Sequence, residues 1–276
     1  MSKVVYENGI HDISNNDYHS SHGISRSMLM DFKRSPKHYW YKHLSGLAER
    51  EEPSPAMNIG NAVHTLILEP HLFDEEFYVT HQKTKPRKGT EPHEKMLADA
   101  QGKIVLTRDE YLQCALMAKS VTEDENASQL LKDCAIEKSI YFTHKETGLQ
   151  VKARPDAWLG SVVCDLKTTG DARPWKFQSS CANYGYFLQA AIIKEALASV
   201  GQEMEHFVCI PIEKEPPYCV GVYMFDAESI DFGLKQFNDL MIGVARCIEK
   251  DSWPSYGVQD ITVPKYALFE ESMEIE

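Results

Sequence analysis

Two carboxylates and an ammonium in "RPDAWLGSVVCDLKTTG" could do chemistry together: Asp156, Asp165 and Lys167 are spaced P-D-x8-D-x-K. Side chains alternate along a strand, so Val163, Asp165, Lys167 and Thr169 share one face and Val162, Cys164, Leu166 and Thr168 the other. A turn at 159–161 folds the preceding strand back and lets Asp156 approach Asp165 from its neighbour. Carboxylates that converge away from bulk water repel unless a cation sits between them. Such hard oxygen ligands suit Mg²⁺, with Mn²⁺ as a substitute, and the Leu166 carbonyl is a further candidate ligand. Lys167 points to the same side, where it can orient or deprotonate an attacking water or neutralise charge building on a phosphate. Phosphodiester hydrolysis needs those parts. The plainer reading of so short a pattern is an exposed Asp–Lys pair, worth under about 1 kcal/mol to stability.

The elements that must position these residues follow from period and punctuation. "IEKSIYFTH", "LQVKARPDAWL" and "SVVCDLKTT" alternate and are separated by turn residues at 145–148 and by Gly160, which predicts a three-strand antiparallel meander. A helix in "YGYFLQAAIIKEALAS", strands in "HFVCIPI" and "YCVGVYMF", and a long helix capped by Asp226 and running to about Lys250 come next. Upstream, "GISRSMLMDFKRSPKHYWYKHL" reads as two short helices parted at Pro36. A helix from about Ile59 to Leu68 turns Ala62, Leu66 and Ile67 inward and carries His64. Residues 81–94 form a basic loop without an apolar face, and a helix over 107–133 is broken around 123–127. One α/β domain over 1–276 is expected, a mixed central sheet flanked by helices. Its parts are a mainly helical 1–135, a catalytic core at 136–250 and a tail at 251–276.

Length and composition bound the function. A chain of 276 residues that is 43% hydrophobic can bury a substantial core. The net charge of -12 excludes a basic coat that holds nucleic acid by bulk charge, though not a local basic channel. No apolar run approaches the roughly 20 residues that span a bilayer, and the first residues lack a signal peptide's apolar core, so a cytoplasmic protein without membrane contact is expected. Seven scattered cysteines without a C-x-x-C pair read as small core residues in a reducing compartment.

These residues resemble the PD-(D/E)xK nuclease superfamily and, within it, the RecB-like exonucleases of the RecE (exonuclease VIII) nuclease-domain type. "GISRSMLMDFKRSPKHYWYKHL" resembles the family's early S-x-S-x-L helix, "IGNAVHTLILEP" its G-x-x-x-H helix, and "WPSY" at 253–256 a C-terminal signature, so the resemblance covers nearly the whole chain. It implies a restriction-endonuclease-like fold, with His64, Asp156 and Asp165 as metal ligands, Lys167 as the catalytic lysine and Glu137 as a weaker acidic candidate. The helix after the third strand in such proteins carries a Gln with a Tyr nearby, one of them touching substrate. Here Gln189 and Tyr186 share a face, while Ile193 stands where a tyrosine is expected; core packing is the alternative for Tyr184 and Tyr186. Some relatives hold an iron–sulfur cluster with one early and three late cysteines, and since no cysteine precedes Cys114 none is expected here.

Ser25, Arg26 and Ser27 open a helix where such exonucleases place a 5′ phosphate, with plain N-capping as the alternative for the serines. Lys83, Lys85, Arg87 and Lys88 offer salt-dependent contacts to a DNA backbone or form a solvated loop. The expected activity is Mg²⁺-dependent digestion of the 5′ strand at double-stranded DNA ends, leaving 3′ single strands for recombination. A homo-oligomeric ring, a single-strand annealing partner and a phage or prophage setting in a bacterial cell are implied with it. An endonuclease, a single-strand exonuclease or an inactive DNA-binding module remain as alternatives.

Overall fold

Short polar side chains set where many of the helices begin. The computed structural model describes residues 3–49 and 52–264. It opens with strand Gly9–His11 (β1) and helices Asn15–Ser20 (α1), Arg26–Arg34 (α2), Pro36–His43 (α3) and Pro55–Leu68 (α4). Ser35 and Ser54 cap α3 and α4, accepting from the N–H groups of His38 and Met57. After a 3-10 turn at Pro70–Leu72 come helix Phe73–Glu76 (α5), strand Phe77–Thr80 (β2), helix Glu91–Ala100 (α6) and strand Ile104–Thr107 (β3). A reciprocal Thr107–Glu110 capping box starts helix Arg108–Glu123 (α7), and Asp124 both ends it and caps Glu125–Leu131 (α8), which is the expected break.

The sheet region follows: strands Ala135–Ile136 (β4), Ser139–Thr143 (β5), Gln150–Ala153 (β6), Ala157–Leu159 (β7) and Val162–Thr169 (β8). Helices Pro174–Tyr184 (α9) and Tyr186–Ser199 (α10) cross over to strand His206–Glu213 (β9), followed by Tyr223–Met224 (β10) and helix Ala227–Lys250 (α11). A five-stranded sheet runs β10-β9-β8-β7-β4, parallel only between β8 and β9. A three-stranded antiparallel sheet runs β1-β5-β6, and β2 pairs with β3 in parallel.

The expected meander needs correction, because its first two strands are interrupted and serve two sheets. The pairs Ile136↔Ala157 and Ile140↔Ala153 nevertheless keep one register across the gap. Pro155 has no N–H to give the ladder, and Glu137 takes a left-handed φ of 50°. Between them they open a hole in an otherwise continuous hairpin. Elsewhere α1, α5, α6, α9 and strands β1, β2 and β3 add to what was expected, α6 takes residues 91–94 of the expected loop because Pro92 suits a helix's first turn, α10 starts only after Gly185, and "YCVGVYMF" supplies just two strand residues.

Helices cover both faces of the central sheet. Val163 and Cys209 pack with Leu188, Ile192, Phe237 and Leu29 from α10, α11 and α2. Cys164, Leu166, Val208 and Ile210 pack with Ala62, Val63 and Met117 from α4 and α7. The expected alternation along β8 therefore holds, its odd positions facing α10 and its even ones α4. Trp253 stacks on Tyr39 at 5.6 Å and the Pro254 carbonyl accepts from Lys37 N–H, which fixes the C-terminal signature on α3; the tail beyond 264 lies outside the described residues.

Candidate active site

The hole in the hairpin is where the acidic side chains meet. One step past Ala157↔Cys164 the register sets Asp156 opposite Asp165, and one step past Ile136↔Ala157 it sets Glu137 opposite Asp156. Three acids thus stand in a row across three strands. A further step would oppose Leu166 to Pro155, which offers no regular ladder, and the Leu166 N–H instead donates to Asp156 Oδ2 at 2.8 Å. The proline ahead of the aspartate therefore ends the strand pairing and leaves a backbone donor for the carboxylate that follows it.

His64 reaches this row from α4, its Nδ1 3.6 Å from Asp156 Oδ2. His64, Glu137 and Asp156 bring a nitrogen and two carboxylate oxygens within 4.8 Å of one another. That donor set fits a hard divalent cation. Burial, then the Asp156 charge, push the Glu137 carboxyl up to about 8, while Arg154 Nε opposes this from 2.8 Å. A buried carboxyl of raised pKa beside a second carboxylate marks a deficit of positive charge that a divalent ion would fill.

Asp165 is fully buried and lies on the other side of the row. Its carboxylate forms an ion pair with Lys167 and accepts from Gln189 Nε2 at 2.7 Å, so the lysine and glutamine expected to act are both present. Burial raises the Asp165 pKa against the pull of Lys167. Burial also works against the Lys167 ammonium, but Asp165 and Asp156 outweigh it and raise its pKa. That shift favours the ammonium form of Lys167, which suits it as a hydrogen-bond donor. Lys167 also donates to the Leu166 carbonyl at 3.2 Å. Asp165 and that carbonyl, both expected as metal ligands, are engaged by the lysine, and Asp165 is not among the clustered His64, Glu137 and Asp156 donors.

The remaining expected residues divide. Ser25 makes no side-chain cap to α2, and its hydroxyl instead lies 3.0 Å from that of Ser27, so simple N-capping does not account for the pair. Arg26 donates to the Tyr184 carbonyl at 2.7 Å. Tyr186 lies under the Lys167 ammonium, 5.1 Å from ring centre to Nζ. Tyr184 is 62% exposed, which excludes core packing for it. In the basic loop Lys85 pairs with Glu110 and Lys88 with Glu52, leaving Lys83 and Arg87 as the loop's cations without an ion pair among the described residues. Lys83 and Lys85 line a separate cavity of about 660 Å³ against the start of α7. Arg154, which pairs with Glu137, was missed, although it sits one residue before the Pro-Asp pair.

A family described as "PDDEXK-like domain of unknown function" (DUF3799) matches residues 25–261. The chain belongs to this family. Among solved structures, a "Putative exonuclease" from Eubacterium rectale aligns over 96% of this chain and 100% of its own with a TM-score of 0.63 at 14% identity. The two share a fold. SSO0001 aligns over 67% of this chain and 86% of its own at 17% identity, with a TM-score of 0.30. No curated protein matches. The mixed sheet with helices on both faces is the restriction-endonuclease-like arrangement of the PDDEXK family. No helix among the described residues is long and apolar enough to cross a membrane.

Proposed function

We propose that the protein is a divalent-cation-dependent nuclease, and more narrowly a Mg²⁺-dependent exonuclease. In this reading it digests the 5′ strand at double-stranded DNA ends and leaves 3′ overhangs for recombination by strand annealing. The supporting observation is the row Glu137–Asp156–Asp165, flanked by His64 and closed by Lys167. His64, Glu137 and Asp156 would hold the cation. When bound, it supplies Lewis-acid stabilisation of the charge that builds on a scissile phosphate. Asp165 and Gln189 fix the Lys167 ammonium near that position, where it donates to the phosphate oxygens. Ser25, Arg26 and Ser27 at the start of α2 would take the 5′ phosphate, and Lys83 and Arg87 the duplex backbone. A ring of several copies would gather these cations in one channel despite the net negative charge, and the RecE-type resemblance supports an annealing protein as partner in a phage or prophage setting.

End-labelled linear duplex separates the readings. With Mg²⁺ but not EDTA, label at the 5′ end is expected to leave as mononucleotides, and Asp156→Ala is expected to release none. Cutting of covalently closed circles would identify an endonuclease, and digestion of single strands alone a single-strand exonuclease. Duplex left intact with both Mg²⁺ and Mn²⁺ overturns the enzyme reading.

A further inference from the structure

A second concavity adjoins Lys167 through Tyr186, and its lining includes none of His64, Glu137 and Asp156. It encloses about 470 Å³ between the end of β8, α9 and Lys214, and its walls include Thr168, Lys176, Ser180, Tyr184, Tyr186 and Lys214. Its aromatic wall starts at the catalytic lysine: the Tyr186 ring lies under Lys167, and the Tyr184 ring stands 6.0 Å further out, tilted 30° from it. Tyr184 shows most of its surface to solvent although the Gly185 turn and the Arg26 bond to its carbonyl hold its backbone. An exposed aromatic ring on a fixed backbone is a stacking surface. It also joins the start of α2 to the catalytic strand.

Lys176 and Lys214 both line the concavity, and neither forms an ion pair among the described residues. The acidic group in the lining, Asp171, is held chiefly by Arg173 through three hydrogen bonds to its guanidinium, with a weaker attraction from Lys176. The backbone next to it is fixed: Ala172 N–H donates to Glu213 Oε1 at 2.8 Å, Tyr223 Oη to the Ala172 carbonyl at 2.7 Å and Lys214 N–H to the Thr169 carbonyl at 3.0 Å. Aromatic faces interleaved with unpaired cations in a preformed groove suit a single strand of nucleic acid, whose bases stack and whose phosphates need charge.

We propose that this groove seats the single-stranded segment next to the scissile phosphate, one base stacked on Tyr184 and the backbone passing Lys176 and Lys214. The assignment rests on the nuclease reading of the adjoining site. It gives the protein a hold on unpaired nucleotides that a duplex-only site would lack.

Fluorescence anisotropy in EDTA, where nothing is cut, tests it with a fluorescein-labelled oligothymidylate of about 12 nucleotides. Tyr184→Ala is expected to weaken binding about 10-fold, and Tyr184→Phe to stay within about two-fold of wild type, because stacking needs the ring and not the hydroxyl. Replacing both Lys176 and Lys214 by Ala is expected to lower the slope of log Kd against log salt by about 1.4, two phosphates' worth for a single strand. Equal binding by wild type and Tyr184→Ala, an unchanged salt slope, or no binding by wild type overturns the groove. Melting curves check that the variants fold. A wild type that binds through Tyr184 yet cuts nothing in either Mg²⁺ or Mn²⁺ supports the groove as a single-strand site and overturns the nuclease reading. A wild type that cuts duplex ends while Tyr184→Ala binds and cuts equally overturns the groove alone.

Discussion

At the scale of single residues, the decisive pairing is between Lys167 and the fully buried Asp165. Removing one partner of a buried ion pair leaves an uncompensated charge. Lys167→Met is therefore expected to abolish cleavage and to destabilise the protein by about 3–5 kcal/mol in urea melts. Adding Asp165→Asn to that variant is expected to restore most of the stability and none of the activity, an outcome that separates the structural cost from the chemical one. Lys167 and Asp165 were legible from sequence because D-x-K on an alternating strand fixes which side chains share a face. Glu137 was harder to place. Its position depends on a left-handed backbone and on pairing with a strand some twenty residues away, neither of which composition or spacing records.

Among the elements, α10 brings Gln189 to Asp165 and is itself seated by α11. A Cβ added at Gly233 of α11 would lie 2.1 Å from the Phe187 carbonyl oxygen, a backbone atom that cannot yield cheaply. Gly233→Ala is expected to cost about 1–3 kcal/mol and to lower cleavage by moving Gln189. Gly60 of α4 differs, for its added Cβ would meet Thr168 Oγ1 at an ordinary 3.6 Å. Gly60→Ala is expected to raise stability by up to about 1 kcal/mol through the gain in helix propensity, as read by thermal melts. The glycine of the G-x-x-x-H pattern is thus not required by packing within this chain. Helix α9 escaped sequence reading because only Phe177 and Cys181 of its eleven residues are buried, too thin an apolar stripe to announce a helix. With it went Lys176, which lines the proposed groove.

For the molecule as a whole, proton and cation compete for one crowded row of acids. Glu137, raised to about 8 from an ordinary 4.5, binds a proton when folded over a range where the unfolded chain has released it. Its contribution is fully present below about pH 4.5 and is lost as pH rises through about 8. Without metal the protein is expected to melt at lower temperature at pH 8 than at pH 6, and Mg²⁺ to raise the melting temperature more at pH 8, where fewer molecules carry a Glu137 proton that must be displaced. Glu137→Gln is expected to flatten this dependence in thermal melts with EDTA. The overall α/β order was readable because each half has its own period. The division into two sheets was not, because a one-proline gap leaves hydrophobic alternation intact on both sides. That gap also provides a spectroscopic probe: the Leu166 amide donates to the Asp156 carboxylate and not to a neighbouring strand, so its proton resonance is expected to track the charge and occupancy of the site from inside the sheet.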